Sequence, residues 1–171
     1  IDIDVLFGGG TDPFVQLKRG GLLESYTPSE NILNGVASEA AGIALHDPQG
    51  YFHSPVMASF SFMCNIAVLE KLKLPNPSSW RELTNGSFLS WSGSADPRRS
   101  GSVHMAYEVL LQSYGWEAGW DLINRLSANT RSYVATAAQL GHDIASGEVA
   151  CGFSIDSHAT AQMRELGPGK I

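Results

Sequence analysis

The chain has 171 residues, of which 43% are hydrophobic and 16% charged, enough to build a core in one good domain or two small lobes and too apolar for a disordered chain. Its formal net charge of −6 lacks the basic footprint that nucleic acid demands. No apolar run approaches the roughly 20 residues of a membrane-spanning helix, and no Lys/Arg-led signal segment is visible.

IDIDVLFGGG alternates and then runs apolar, the pattern of a strand entering a buried sheet. Opening directly on such a strand raises the expectation of further sequence upstream. TDPFVQLKRGG follows with helix punctuation: Asp12 as cap, Pro13 at the first helical position, Lys18 and Arg19 in the last turn and Gly20 as the stop. LLESYTPSEN reads as a surface segment. Residues 31–50 suggest a helix near Ile32 to Ala41 and a turn at Asp47-Pro48-Gln49-Gly50. SPVMASFSFMCN, residues 54–65, reads as a long strand able to cross between two lobes.

IAVLEKLKLP then predicts a short helix ended by Pro75, and NPSSWRELTN a second one capped at Ser78 or Ser79. SFLSWSG, 87–93, is the next expected strand. Val103, Ala106, Tyr107, Leu110, Leu111 and Tyr114 recur at helical spacing, so 102–114 is a helix, broken at Gly115. Trp116, Trp120 and Ile123 mark another, running to about Leu126. RSYV is a short strand, 136–146 a helix ending before Gly147, and EVACGFSID a buried strand leading into the helix ATAQMREL. Strands alternating with helices predict an α/β fold with a largely parallel sheet. Cys64 and Cys151 each sit in an apolar run with no zinc-ligand spacing, which favours two buried thiols over a disulfide. Trp80, Trp91, Trp116 and Trp120 lie in amphipathic patterns and are expected in the core.

In an open α/β sheet, ligands gather beyond the carboxyl ends of the strands, where helix starts also point. Three junctions there are rich in small polar residues. In GGGTDP, residues 8–13, glycines allow close backbone approach and the free amides at a helix start attract negative charge. The dinucleotide fingerprint fails, because Pro13 stands where a third glycine belongs, and a tight turn with ordinary capping competes with the ligand reading. In SADPRRSGSVH, Ser100 and Ser102 offer hydroxyls and amides, Gly101 removes the obstacle between them, and Arg98 and Arg99 add positive charge. Capping by Ser100 is the competing explanation. No Walker lysine is present. In FSIDSHA, Asp156 either caps the next helix or faces a cationic or hydroxylated part of a ligand. His46, His53, His104, His142 and His158 lack ligand spacing, so neither a metal site nor a cofactor is predicted. No nucleophile elbow or paired-carboxylate site occurs, so no catalytic residue is assigned.

Taken in order, DVLFGGGTDPF, SPVMASFSFMCN, SSWRELTN, DPRRSGS, YGWEAGWDLINRLSAN and ASGEVACGFSID resemble the extracellular solute-binding proteins of bacterial ABC importers, in the family usually labelled ferric-iron transport, periplasmic component. Relatives bind thiamine, polyamines, phosphonates or sugar phosphates. The resemblance implies a type II periplasmic-binding fold of two α/β lobes with a hinge, here partly present. Residues 1–55 would be part of the first lobe, 56–65 the hinge crossover and 66–171 most of the second lobe. It implies a monomer that captures a small anionic ligand bearing phosphate or phosphonate, or ferric iron with a synergistic anion. An ABC permease would be its membrane partner. The location would be periplasmic or extracellular, with a membrane tether possible outside this chain.

By position, the resemblance places Ser100, Gly101 and Ser102 where the family grips an anion, with Asn129 helping to hold it, and Arg99 joins the candidate site for its charge. It puts Gly9, Gly10 and Thr11 in the loop from the first lobe, and Asp156 and Ser157 after the buried strand. Iron-binding relatives carry adjacent tyrosines at that last position; this chain reads Asp156-Ser157-His158, which favours an organic anion over phenolate-bound iron. The competing functions are an α/β enzyme acting on a phosphorylated small molecule and the ligand-sensing effector domain of a regulator.

Overall fold

A computed structural model describes residues 4–8, 10–29, 37–40, 42–54, 56–167 and 169–171. The chain divides into two compact units, Ile1–Ala58 and Ser59–Ile171. Their boundary falls within the stretch 56–65.

The first unit holds helix α1 (Thr11–Arg19) and a short antiparallel pair, β1 (Glu39–Ala40) and β2 (Ile43–Ala44). The cap of α1 is Gly10 and not Asp12, which lies in the first turn, where its charge complements the free amides. The helix stops as read, with the Gly20 amide donating to the Gln16 carbonyl at 2.9 Å. The strand expected at the start is not seen among described residues 4–8, where Val5 and Phe7 are exposed and no ladder forms. The helix expected over Ile32 to Ala41 lies mostly outside the described residues, and its described end, Glu39–Ala40, is strand. The predicted turn at Asp47 forms around a carboxylate. Oδ2 of Asp47 accepts from the amides of Gln49 and Tyr51, while Oδ1 takes a 2.6 Å ion pair from Lys18.

The second unit is a four-stranded sheet between helices. Its elements are β3 (Phe60–Cys64), α2 (Ile66–Leu72), β4 (Ser92–Ala95), α3 (Gly101–Tyr114), α4 (Trp116–Asn129), β5 (Thr130–Val134), α5 (Ala137–Ser146), β6 (Cys151–Ile155) and α6 (Asp156–Leu166). The spatial order is β3-β6-β4-β5. The strands β6, β4 and β5 run parallel and β3 antiparallel to β6. The strand read over 54–65 shortens to β3, because only Phe60 to Cys64 have partners on β6. The strand read at 87–93 shifts to Ser92–Ala95, since Gly86–Phe88 winds into a 3₁₀ turn that buries Phe88. Asn65 caps α2, accepting from the Val68 amide at 3.2 Å and donating to the carbonyls of Ile144 and Ala145. That helix ends at Lys73, in a left-handed conformation, before Pro75 is reached.

On one face α5 presses directly against the sheet. A Cβ at Gly93 would lie 2.6 Å from a Leu140 methyl, and one at Gly152 would meet the Gly93 carbonyl oxygen at 2.8 Å, so both positions require glycine. The helices α3 and α4 cover the other face, burying Val103, Ala106, Leu110, Leu122 and Ile123. The two cysteines are a disulfide, not a pair of thiols. Cys64 on β3 and Cys151 on β6 are direct cross-strand partners with Cα atoms 4.1 Å apart. Of the four tryptophans expected in the core, Trp116 and Trp120 are exposed and Trp80 and Trp91 are half-buried. Trp116 is 71% exposed and stands edge-on to Trp120, so the two rings cover one another at the start of α4.

Candidate functional site

The parallel strands place three helix starts along one edge of the sheet. Ser100 precedes α3 beyond β4, Thr136 precedes α5 beyond β5, and α6 begins at Asp156 directly after β6. Because β6 and β4 are neighbours, the starts of α6 and α3 are adjacent along that edge.

The loop before α3 is built around Asp96. Its amide donates to the Val134 carbonyl, tying the loop to β5, and its carbonyl accepts from the amides of Arg99 and Ser100. Its carboxylate holds the Arg98 guanidinium at 2.7 Å and also accepts from the Arg98 amide. Arg98 therefore holds the Asp96 carboxyl down to about 2, well below the usual carboxylate range. With Arg98 committed to Asp96, Arg99 is exposed and has no ion pair among the described residues.

Ser100 is buried in an extended conformation, with its Oγ 3.5 Å from the Val103 amide that donates to it. The capping reading thus holds for its acceptor side, while the hydroxyl proton stays available. The amides of Gly101 and Ser102 have no acceptor among the described residues. Gly101 is exposed, and a Cβ there would meet nothing within 4 Å. Two free amides, two hydroxyls and one unpaired guanidinium in four consecutive residues, 99–102, form an arrangement of donors that can cradle an anion at the positive end of a 14-residue helix.

Asp156 is used differently. Its Oδ2 accepts from both the amide and the hydroxyl of Ser59 at 3.2 Å, and its Oδ1 accepts from the Ser157 amide at 2.7 Å. These donors, the Ser59 amide foremost, hold its carboxyl below the ordinary value. It pins the start of β3 to α6, while Ser157 stays exposed beside it. Asn129 is not brought to this edge. It sits before β5 at the opposite end of the sheet, buried, donating to the carbonyls of Leu83 and Asn85. Gly10 and Thr11 form the start of α1 in the other unit, and Gly9 lies outside the described residues. Sequence reasoning missed Thr136, whose hydroxyl oxygen accepts from the Gln139 amide at 3.2 Å. The Thr-x-x-Gln capping pattern was the available signal. Ser59 carried no signal, because its partner is 97 residues away. No group of three or more His, Cys, Asp or Glu side chains able to hold a metal occurs among the described residues.

A mostly parallel sheet that bares helix starts at its carboxyl edge, with free donors clustered on one of them, defines an α/β lobe of the periplasmic-binding type. The chain belongs to the bacterial extracellular solute-binding protein family, whose profile matches residues 4–164. Among solved structures it is similar to the periplasmic binding protein AfuA from Actinobacillus pleuropneumoniae, determined with exogenous fructose-6-phosphate bound. That likeness has a TM-score of 0.81 and 26% identity over 95% of this chain and 50% of that one. Iron-bound HitA from Pseudomonas aeruginosa shares the fold, with a TM-score of 0.69 and 20% identity over 91% of this chain and 47% of that one. The phosphoglycerate transport regulatory protein PgtC of Salmonella typhimurium is 28% identical over 109 residues, 64% of this chain and 28% of PgtC. The chain thus spans about half the length of these solved structures.

Proposed function

We propose that the whole protein captures a small solute bearing a phosphate or phosphonate group outside the cytoplasm and delivers it to an ABC permease. The open start of α3 carries this reading. Ser100, Gly101 and Ser102 present donors that meet no acceptor among the described residues, and Arg99 adds charge. Phosphate offers several acceptor oxygens, and charge-assisted bonds to it are about twice as strong as neutral ones. Two relatives carry phosphorylated solutes in their descriptions, fructose-6-phosphate for AfuA and phosphoglycerate for PgtC. The Cys64–Cys151 disulfide supports an oxidising, extracytoplasmic location.

The capture involves no chemistry. Donors from the α3 start and exposed Ser157 at the neighbouring α6 start hold the anion. Water displaced by the bound solute strengthens each of these bonds. Ferric iron with a synergistic anion is the second reading, favoured by the fold shared with HitA. Against it, Asp156 spends its carboxylate on Ser59 and Ser157 where iron-binding relatives carry tyrosines.

Calorimetric titration of the whole protein with fructose 6-phosphate, phosphoglycerate, inorganic phosphate and ferric citrate tests the ranking. A phosphate-bearing organic solute binds tightest if the proposal holds. A visible phenolate-to-iron absorption band on ferric titration reverses it.

A further inference from the structure

Strand β4 reads Ser-Gly-Ser-Ala, and its small side chains leave space beneath α3 and α4. A cavity of about 40 Å³ lies there, lined by the hydroxyl-bearing residues Ser92, Ser94, Tyr107, Ser127 and Thr130, with Leu110 and Phe153 on its apolar wall. Ser92 is only 8% exposed, yet its Oγ has no hydrogen-bond partner among the described residues. Ser94 Oγ donates to the Ala95 carbonyl at 3.1 Å and Thr130 Oγ1 to the Leu126 carbonyl at 3.0 Å, so both oxygens still have lone pairs to offer. Burial pushes the Tyr107 hydroxyl up from its ordinary value, against the pull of the nearby Ser94 and Ser127 hydroxyls, so it is neutral at pH 7.

We propose that this cavity is a built hydration site, in which a cluster of one to about three water molecules joins Ser92 on β4 to the hydroxyls of α3 and α4. Its dimensions admit water and little else, since a water needs at least about 10–15 Å³ of such space. No ionisable acid or base other than neutral Tyr107 lines it, so the ligand is an uncharged donor and acceptor. The wall is largely apolar, and the hydroxyls set into it, with Ser92 Oγ unpartnered, are what fit it for water. The site lies under α3 one to two turns past the anion cradle and acts independently of it, as the water-mediated seat of that helix on the sheet.

Ser92→Ala separates the hydrated from the dry case by the sign of its effect. If water bonds Ser92, the variant lowers the folded-to-unfolded ratio roughly two- to tenfold in denaturant titration of the disulfide-intact protein. A dry cavity leaves Ser92 Oγ unsatisfied, and its removal then raises the ratio. An unchanged or raised ratio overturns the proposal. A second readout on the unmodified protein is water-to-amide cross-relaxation at Ser92 and Ser94. Long-lived bound water is expected at both, and its absence, or xenon under pressure entering the cavity as it would a dry apolar one, contradicts the hydration site.

Discussion

Every buried apolar side chain among the described residues lies in the unit Ser59–Ile171, whereas the described part of Ile1–Ala58 buries a single residue, Asp47. The larger unit is held by three apolar clusters, by α5 set against glycines, and by a disulfide between neighbouring strands. Around α1 and the 46–53 turn, the smaller unit is organised by hydrogen bonds that converge on one carboxylate and one ion pair. Apolar burial scales with area and is indifferent to pH; a carboxylate network is neither. Helix α3 therefore rests on the apolar part of the chain, while the loop that leads into it depends on the Asp96 carboxylate as the 46–53 turn depends on Asp47.

The largest expected effect on this contrast comes from the crosslink. Cys64→Ser with Cys151→Ser opens a loop of 87 residues' separation and should cost about 2–5 kcal/mol, read by denaturant titration. That loss should fall on exchange protection in β3 and β6, with little change at α1. Gly152→Ala comes next. Its methyl would sit 2.8 Å from the Gly93 carbonyl oxygen, which cannot rotate away, and about 1–3 kcal/mol should be lost as β6 and β4 part. A variant as stable as the parent would mean that the sheet is looser than its register implies.

Acid sharpens the contrast from the other side. The hydrogen bond from Lys18 holds the Asp47 carboxyl below its ordinary value. The stability this gives is complete above the unfolded carboxylate value near about 4, and it is lost as pH falls through the lower folded value. Protection factors for amide exchange in 45–53, corrected for the intrinsic rate, should thus fall below about pH 4 while those in β4 and β6 hold. An equal fall in both units would erase the distinction. The smallest effect should follow Asn129→Ser, which leaves the cradle untouched. It loses buried bonds to Leu83 and Asn85 and should lower stability by about 1–2 kcal/mol without changing solute affinity.

Legibility in the sequence followed the same division. The repeat of Val103, Ala106 and Leu110 places α3 within one residue of where it lies, because those side chains face one core. The α5 stop at Gly147 was legible too, since φ there is +84°. The disulfide was not, as nothing local to Cys64 reports that Cys151 stands opposite it across an antiparallel ladder. The cradle was legible as composition, yet the roles of its two arginines were not. Only the fold of the loop commits Arg98 to Asp96 and leaves Arg99 free of ion pairs among the described residues. Asn129 misled for a related reason. Its place in sequence before β5 says nothing about the Leu83 and Asn85 carbonyls that claim its amide.

The central claim is that the α3 start grips a solute's anionic end, and Gly101→Val addresses it most directly. A side chain there enters open space and leaves the Ser100 cap intact, so folding is spared while the cradle is filled. Titrating the whole protein and this variant with fructose 6-phosphate, at matched thermal stability, should show affinity at least about tenfold weaker in the variant, a loss of roughly 1.4 kcal/mol or more. An identical Kd in the two proteins would contradict the account.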